Sequence, residues 1–353
     1  MTNSTGASRT LIDNWMLELA FSMWNSEYEK NFTDFDIKSE FHSYYEQPST
    51  SHNVNIYLDH HQAWTWNDDI VIDTVTALLQ ILDLLVINNE LVYDTTFSNA
   101  WKRFPQSDLV GPMLREVKLS NKVTRELLPA IGFFPIYPDN NGVVSKGAVY
   151  YLSLARFLGV YYWPSPKRAE YLRNNCFDIT GNFALSFRDF IDETSRQIVD
   201  EVLKPLKIES RQFFSGFAVP ILASCEKPSS ILPTLLQVRE SLSGTRFREW
   251  LEKMDEALQT GDLKLIAKEM KTINDVISEI RKDLGIDKKD DKTVEFQIGI
   301  SPSLTIGDEA VKSIMSQFKP RPYHVTFIRK YFDRFLVSGN VRKHLSRLFP
   351  YIK

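Results

Sequence analysis

Asp59, His60 and His61 stand side by side, directly after an alternating run at 54–58 that reads as a short strand. Aspartate oxygen and imidazole nitrogen are common ligands of zinc and other divalent ions. Asp68, Asp69 and Asp73 follow closely enough to complete a shell if the turn folds back on the next helix. A metal held by Asp59, His60, His61, Asp69 and Asp73 would suit attack on a phosphodiester. The competing reading is a polar turn between strand and helix, with its histidines capping or solvated.

The triplet resembles the Asp-His-His signature of the DHH phosphoesterases, where it follows a strand and helps hold catalytic metal ions. The resemblance implies a metal-dependent, phosphodiester-cleaving enzyme with a divalent metal as its cofactor; without it, no cofactor is expected. The likeness covers three residues, and the chain departs from the family elsewhere. Only Asp34-Phe35-Asp36 lies upstream, and no glycine-rich histidine segment follows.

Two further groups could bind rather than catalyse. Tyr161-Tyr162-Trp163 precedes Lys167, Arg168 and Arg173, which sets aromatic faces beside cations near a helix start, as an anion-binding or strand-binding site would. The plainer alternative is an aromatic cluster beneath a helix whose basic side faces water. Near the C-terminus, Lys319, Arg321, Arg329, Lys330, Arg334, Arg342, Lys343 and Arg347, with His324 and His344 among them, are interleaved with Phe327, Tyr331, Phe332, Phe335 and Phe349. At helical spacing Phe327, Ile328, Tyr331, Phe335 and Leu336 can face a core while the cations face outward. Non-specific phosphate contact requires no more than such a face.

Several chemistries find no support. There is no G-x-S-x-G elbow, no G-x-x-x-x-G-K-[ST] loop and no G-x-G-x-x-G turn, which argues against an α/β-hydrolase, a nucleotide-hydrolysing motor and a dinucleotide-dependent dehydrogenase. Cys176 and Cys225 form no C-x-x-C pair and read as buried small hydrophobes in a reducing compartment.

Charge is layered along the chain. Residues 1–100 carry 3 Lys/Arg against 15 Asp/Glu, whereas residues 311–353 carry 10 Lys/Arg against the single Asp333. A basic segment attracts phosphate or acidic surfaces, and an acidic one attracts basic partners. The two ends could also fold onto each other.

The elements that must position these groups are mostly helical by period. Apolar steps of three and four predict helices at 11–23, 68–87, 146–159, 183–203, 232–284 and 325–349, with breaks at Gly244 and Gly261. Alternation predicts strands at 54–58 and 294–300. Asp73 and Asp83 interrupt the most apolar window, 70–87, so it reads as a buried helix and not a membrane span.

The expected fold is mainly α with a few short β-strands, α+β being the alternative, as one elongated body or two packed helical lobes. Its parts are a disordered tail at 1–10, an acidic, aromatic-rich lobe at 11–145, a helical middle at 146–284, a charged connector at 285–293, and a strand with basic helices at 294–353. The expected function is that of a non-catalytic cytosolic subunit of a multi-protein assembly, binding protein partners and, as a second partner, nucleic acid. A bacterial defence or mobile-element system is the expected setting.

Overall fold

The computed structural model describes residues 9–13, 16–17, 20, 68–95, 102, 106–119, 142–175, 182–203, 217–284, 286, 296–297, 303–304, 322–338 and 341–349. These residues are mainly helical, with few strands. The sequence-predicted strand at 54–58, with Asp59, His60 and His61 after it, lies outside them, as do the connector at 287–293 and Cys176.

Four short strands form a parallel sheet: β1 (Arg9–Ile12), β2 (Glu90–Asp94), β3 (Leu114–Val117) and β4 (Tyr161–Trp163), in the order β3-β2-β1-β4. Leu11 pairs with Val92 on one side and Tyr162 on the other. Alternation along the strands sends side chains to opposite faces. Ile12, Leu91 and Tyr93 enter one core, whereas Leu11, Val92 and Tyr162 enter another. The sheet is thus covered on both faces, as parallel sheets require.

The smaller core is closed by α3 (Gly142–Leu158) and α4 (Pro166–Asn174), which pack on each other beside β4. The larger core is built by α1 (Asp68–Ile87), α5 (Phe183–Leu203), α6 (Ala218–Ala223), α7 (Ile231–Glu240), α8 (Leu242–Thr260), α9 (Leu263–Asp283), α10 (Tyr323–Ser338) and α11 (Val341–Leu348). The four-residue α2 (Ser107–Val110) precedes β3. A helix of 20 residues is about 30 Å long and a four-residue strand about 13 Å, so α1 runs past the sheet into the bundle. Helix α8 is the hub, packing on α1, α5, α7, α9 and α10. A two-stranded antiparallel ladder joins β5 (Phe296–Gln297) to β6 (Ser303–Leu304).

Three sequence-derived expectations change. The tail expected at 1–10 and the helix expected at 11–23 overlap β1, since Arg9–Ile12 pair in the sheet and helix is described only at Met16, Leu17 and Ala20. A short strand buried on both faces carries no alternation to betray it. The break placed at Gly244 falls instead at Ser241, whose hydroxyl caps α8 by accepting the Gly244 amide at 3.1 Å. Gly244 lies inside α8, where any Cβ would strike the Val238 and Arg239 carbonyls at the α7–α8 corner. Of the strand expected at 294–300, Phe296–Gln297 lie among the described residues and are strand. Gly261 does end α8, with φ of 74° and its amide returning to Ala257 and Leu258.

Candidate functional site at the carboxyl edge of the sheet

In open parallel sheets the place for a ligand is the crevice beyond the carboxyl ends of two neighbouring strands whose connections leave in opposite directions. Here that place lies between β1, whose chain continues to β2, and β4, which arrives from β3 on the far side. Asp13 follows β1 directly, and Ser165 and Arg168 follow β4.

These residues are joined. Asp13 Oδ1 accepts the Tyr162 hydroxyl at 2.6 Å and Arg168 Nη1 at 2.7 Å, and Oδ2 accepts the Ser165 amide at 2.9 Å. Ser165 occupies the N-cap position with Pro166 after it, and its amide N–H donates to the Asp13 carboxylate. An amide at a helix start, a guanidinium and a phenol converging on one point make an anion niche. Its occupant is the chain's own Asp13, which is fully buried.

The surroundings hold this geometry. Arg168 packs over the Tyr151 ring at 5.1 Å, and Tyr151 stacks on Tyr162 with centroids 6.0 Å apart. Gly147 on α3 faces Arg168, and a Cβ there would run into the guanidinium. At the end of the adjacent strand, Asp94 Oδ2 accepts the Tyr150 hydroxyl at 2.9 Å. Burial, with Asp94 next, holds the Tyr151 phenol well above its ordinary value, and burial, with Asp13 next, does the same for Tyr162. Both phenols therefore remain neutral at physiological pH, and Tyr162 stays a donor.

The other face of β4 leads into the bundle. The Trp163 ring lies 5.2 Å from the Arg188 guanidinium, and Tyr161 reaches Asp255 on α8 at 3.5 Å. Arg188 Nε donates to Asp83 Oδ2 at 2.9 Å, and Asp83 Oδ1 accepts the Phe217 and Ala218 amides at the start of α6. Burial works against the Arg188 charge, but Asp83, Asp189 and Asp192 outweigh it and hold its pKa above the ordinary arginine value.

The sequence-predicted binding residues divide by environment. Arg168 is buried in the Asp13 network. Arg329 pairs with Glu279 at 2.7 Å and Asp283 at 3.4 Å on α9, and Arg347 donates to the carbonyls of Leu222, Ala223 and Cys225 at the end of α6. Buried His324 stacks on Trp250 and approaches Glu269 at 3.3 Å. Lys330 and Arg334, one turn apart on α10, are exposed, with Asp333 exposed beside them. Arg342 and Lys343 belong to α11, Lys167 to α4, and Asp69 and Asp73 to α1, all with side chains outside the described set. Lys319 and Arg321 lie outside the described residues, together with Asp59, His60 and His61. Among the described residues, no group of three or more His, Cys, Asp or Glu side chains is placed to hold a metal ion. No helix among them is long and apolar enough to cross a membrane.

Sequence reasoning passed over Asp13 and Asp94. The available signal was local: Thr10-Leu11-Ile12-Asp13 and Leu91-Val92-Tyr93-Asp94 are both apolar runs closed by an aspartate. Known protein families, curated proteins and solved structures contain no match to this chain.

Proposed function

We propose that the protein is a non-catalytic cytosolic subunit of a multi-protein assembly that meets an acidic partner surface through its basic C-terminal helices. The observation that carries the reading is the division of labour among the cations of α10 and α11. Arg329 and Arg347 are spent on α9 and α6, whereas Lys330 and Arg334 point to solvent from a helix whose apolar face, Phe327, Ile328 and Tyr331, is buried. Long cationic side chains left exposed on a rigid helix suit steering and recognition of an oppositely charged surface. The niche at β1 and β4 supports the same reading, because the place where a parallel sheet would receive an anionic ligand is filled by Asp13.

Affinity capture of the tagged full chain from its native host, with and without nuclease, tests this. A protein partner that survives nuclease and is released by raised salt agrees with it, since exposed charge pairs are screened within a Debye length of about 10 Å at 0.1 M salt. A chain recovered alone in both preparations overturns it.

A second reading, a metal-dependent phosphodiester-cleaving enzyme, draws on one specific observation: Asp13 and Asp94 stand at the carboxyl ends of adjacent parallel strands, the edge at which open α/β sheets bind ligands. In the sequence, Asp59, His60 and His61 fall between β1 and α1. Manganese or zinc would then raise the melting temperature and support cleavage of a phosphodiester; neither effect occurs on the subunit reading.

A further inference from the structure

Asp192 on α5 is a buried carboxylate left over from a crowded cluster. Arg188 commits Nε to Asp83 and Nη1 to Asp189, at 2.9 and 2.8 Å. Arg196, one turn along α5, is half exposed and 3.7 Å from Asp192 Oδ2. The buried Oδ1 has no hydrogen-bond partner among the described residues. A carboxylate in that position gives up hydration without full compensation, whereas the neutral acid does not.

The groups around it come from several elements. Helix α5 itself supplies Arg188, Asp189, Glu193 and Arg196. Helix α1 supplies Asp83, and α6 the Phe217 and Ala218 amides that Asp83 accepts. From α10 comes Tyr331, whose hydroxyl lies 3.0 Å from Ser195, three residues along from Asp192. Helix α8 presents Phe247 and Trp250 to α5, with Asp255 at the far end against Phe183. Helix α9 presents Arg281, engaged with Gln197 and Glu201, and β5 has no titratable residue.

We propose that Asp192 is a proton-operated latch on the junction of α5 with α10: the neutral acid keeps the Ser195–Tyr331 contact closed, and the carboxylate loosens it by drawing in water or a cation. Burial, the largest cause, together with the charges of Asp83 and Asp189, lifts the Asp192 pKa to about 6 against the opposing pull of Arg188 and Arg196. The latch therefore works within the physiological range. It acts on the helix that carries Lys330 and Arg334, but it does not depend on what those cations bind.

The test is a carboxyl-carbon NMR titration of the full chain with labelled aspartate, the Asp192 signal being assigned by its loss in Asp192→Asn. It is paired with amide exchange of α10 at about pH 5 and about pH 7.5, each rate corrected for intrinsic chemistry. The latch gives a midpoint near 6 and α10 amides that open more at the higher pH in the wild type but not in Asp192→Asn. A midpoint near the ordinary 3.8, or the same pH response of α10 in both proteins, overturns it. If Asp192→Asn does not fold, Asp192→Glu removes the same aspartate signal, and the wild-type midpoint decides alone.

Discussion

At the scale of single residues, Asp13 and Arg168 illustrate how a buried ion pair serves position more than stability. Burying both charges costs much of what their attraction returns, yet deleting one partner leaves the other uncompensated, at about 3–5 kcal/mol. Arg168→Met should therefore destabilise the protein by about 3 kcal/mol in chemical denaturation. Gly147 makes a sharper test. Ala in a helix interior is ordinarily better than Gly by about 1 kcal/mol, but here its Cβ would meet the guanidinium. Gly147→Ala should destabilise the wild type and become neutral or stabilising in the Arg168→Met background, and equal effects in both would contradict the packing described. Asp192 adds a pH dependence whose sign follows from its burial. Its folded pKa is raised from 3.8 to about 6, so the folded state holds the proton more tightly. The contribution of Asp192 to stability is greatest below the unfolded value, falls as pH rises between the two, and is flat above, a loss of up to about 3 kcal/mol. Wild-type melting temperature should fall over that window, and Asp192→Asn should remove this part of the slope.

At the scale of elements, the amino edge of the sheet is held by side chains that finish helices. Arg239 on α7 donates to the carbonyls of Leu85, Asn88 and Asn89, closing the C-terminal end of α1, while Arg248 reaches Asn89 and the Arg239 carbonyl. Burial, with Arg248 close by, lowers the Arg239 pKa to about 10, which still leaves it charged at neutral pH. Arg239→Ala should strip several buried carbonyls of a donor at a cost of about 1–3 kcal/mol each at most, and faster amide exchange at the end of α1 and the start of β2 would register it. The helices were legible in the sequence because an amphipathic stripe repeats over many turns, as in α5 and α9, whose bounds follow the pattern within a residue. The sheet was not. Its strands are three to five residues long and paired with segments far away in the chain, and the central β1 and β2 are buried on both faces. Arg168 was legible as a cation at a helix start, but its partner lies 155 positions earlier, a distance over which local pattern carries no information.

At the scale of the molecule, a small parallel sheet and a large helical bundle share one core through α1, and the described cations differ in whether that packing engages them. Arg168, Arg188, Arg239 and Arg248 are buried structural groups, and Arg329 and Arg347 tie α10 and α11 to their neighbours. On α10, Lys330 and Arg334 face outward. Replacing both by Glu changes exposed positions, so the stability effect should stay within about 0.5 kcal/mol per site. The most direct test of the proposed subunit role compares wild type with Lys330→Glu/Arg334→Glu in nuclease-treated capture from the native host, with melting temperatures measured alongside. On the proposed role, a protein partner is retained by the wild type and lost from the double variant while the melting temperature is unchanged. Equal retention by both proteins would contradict it.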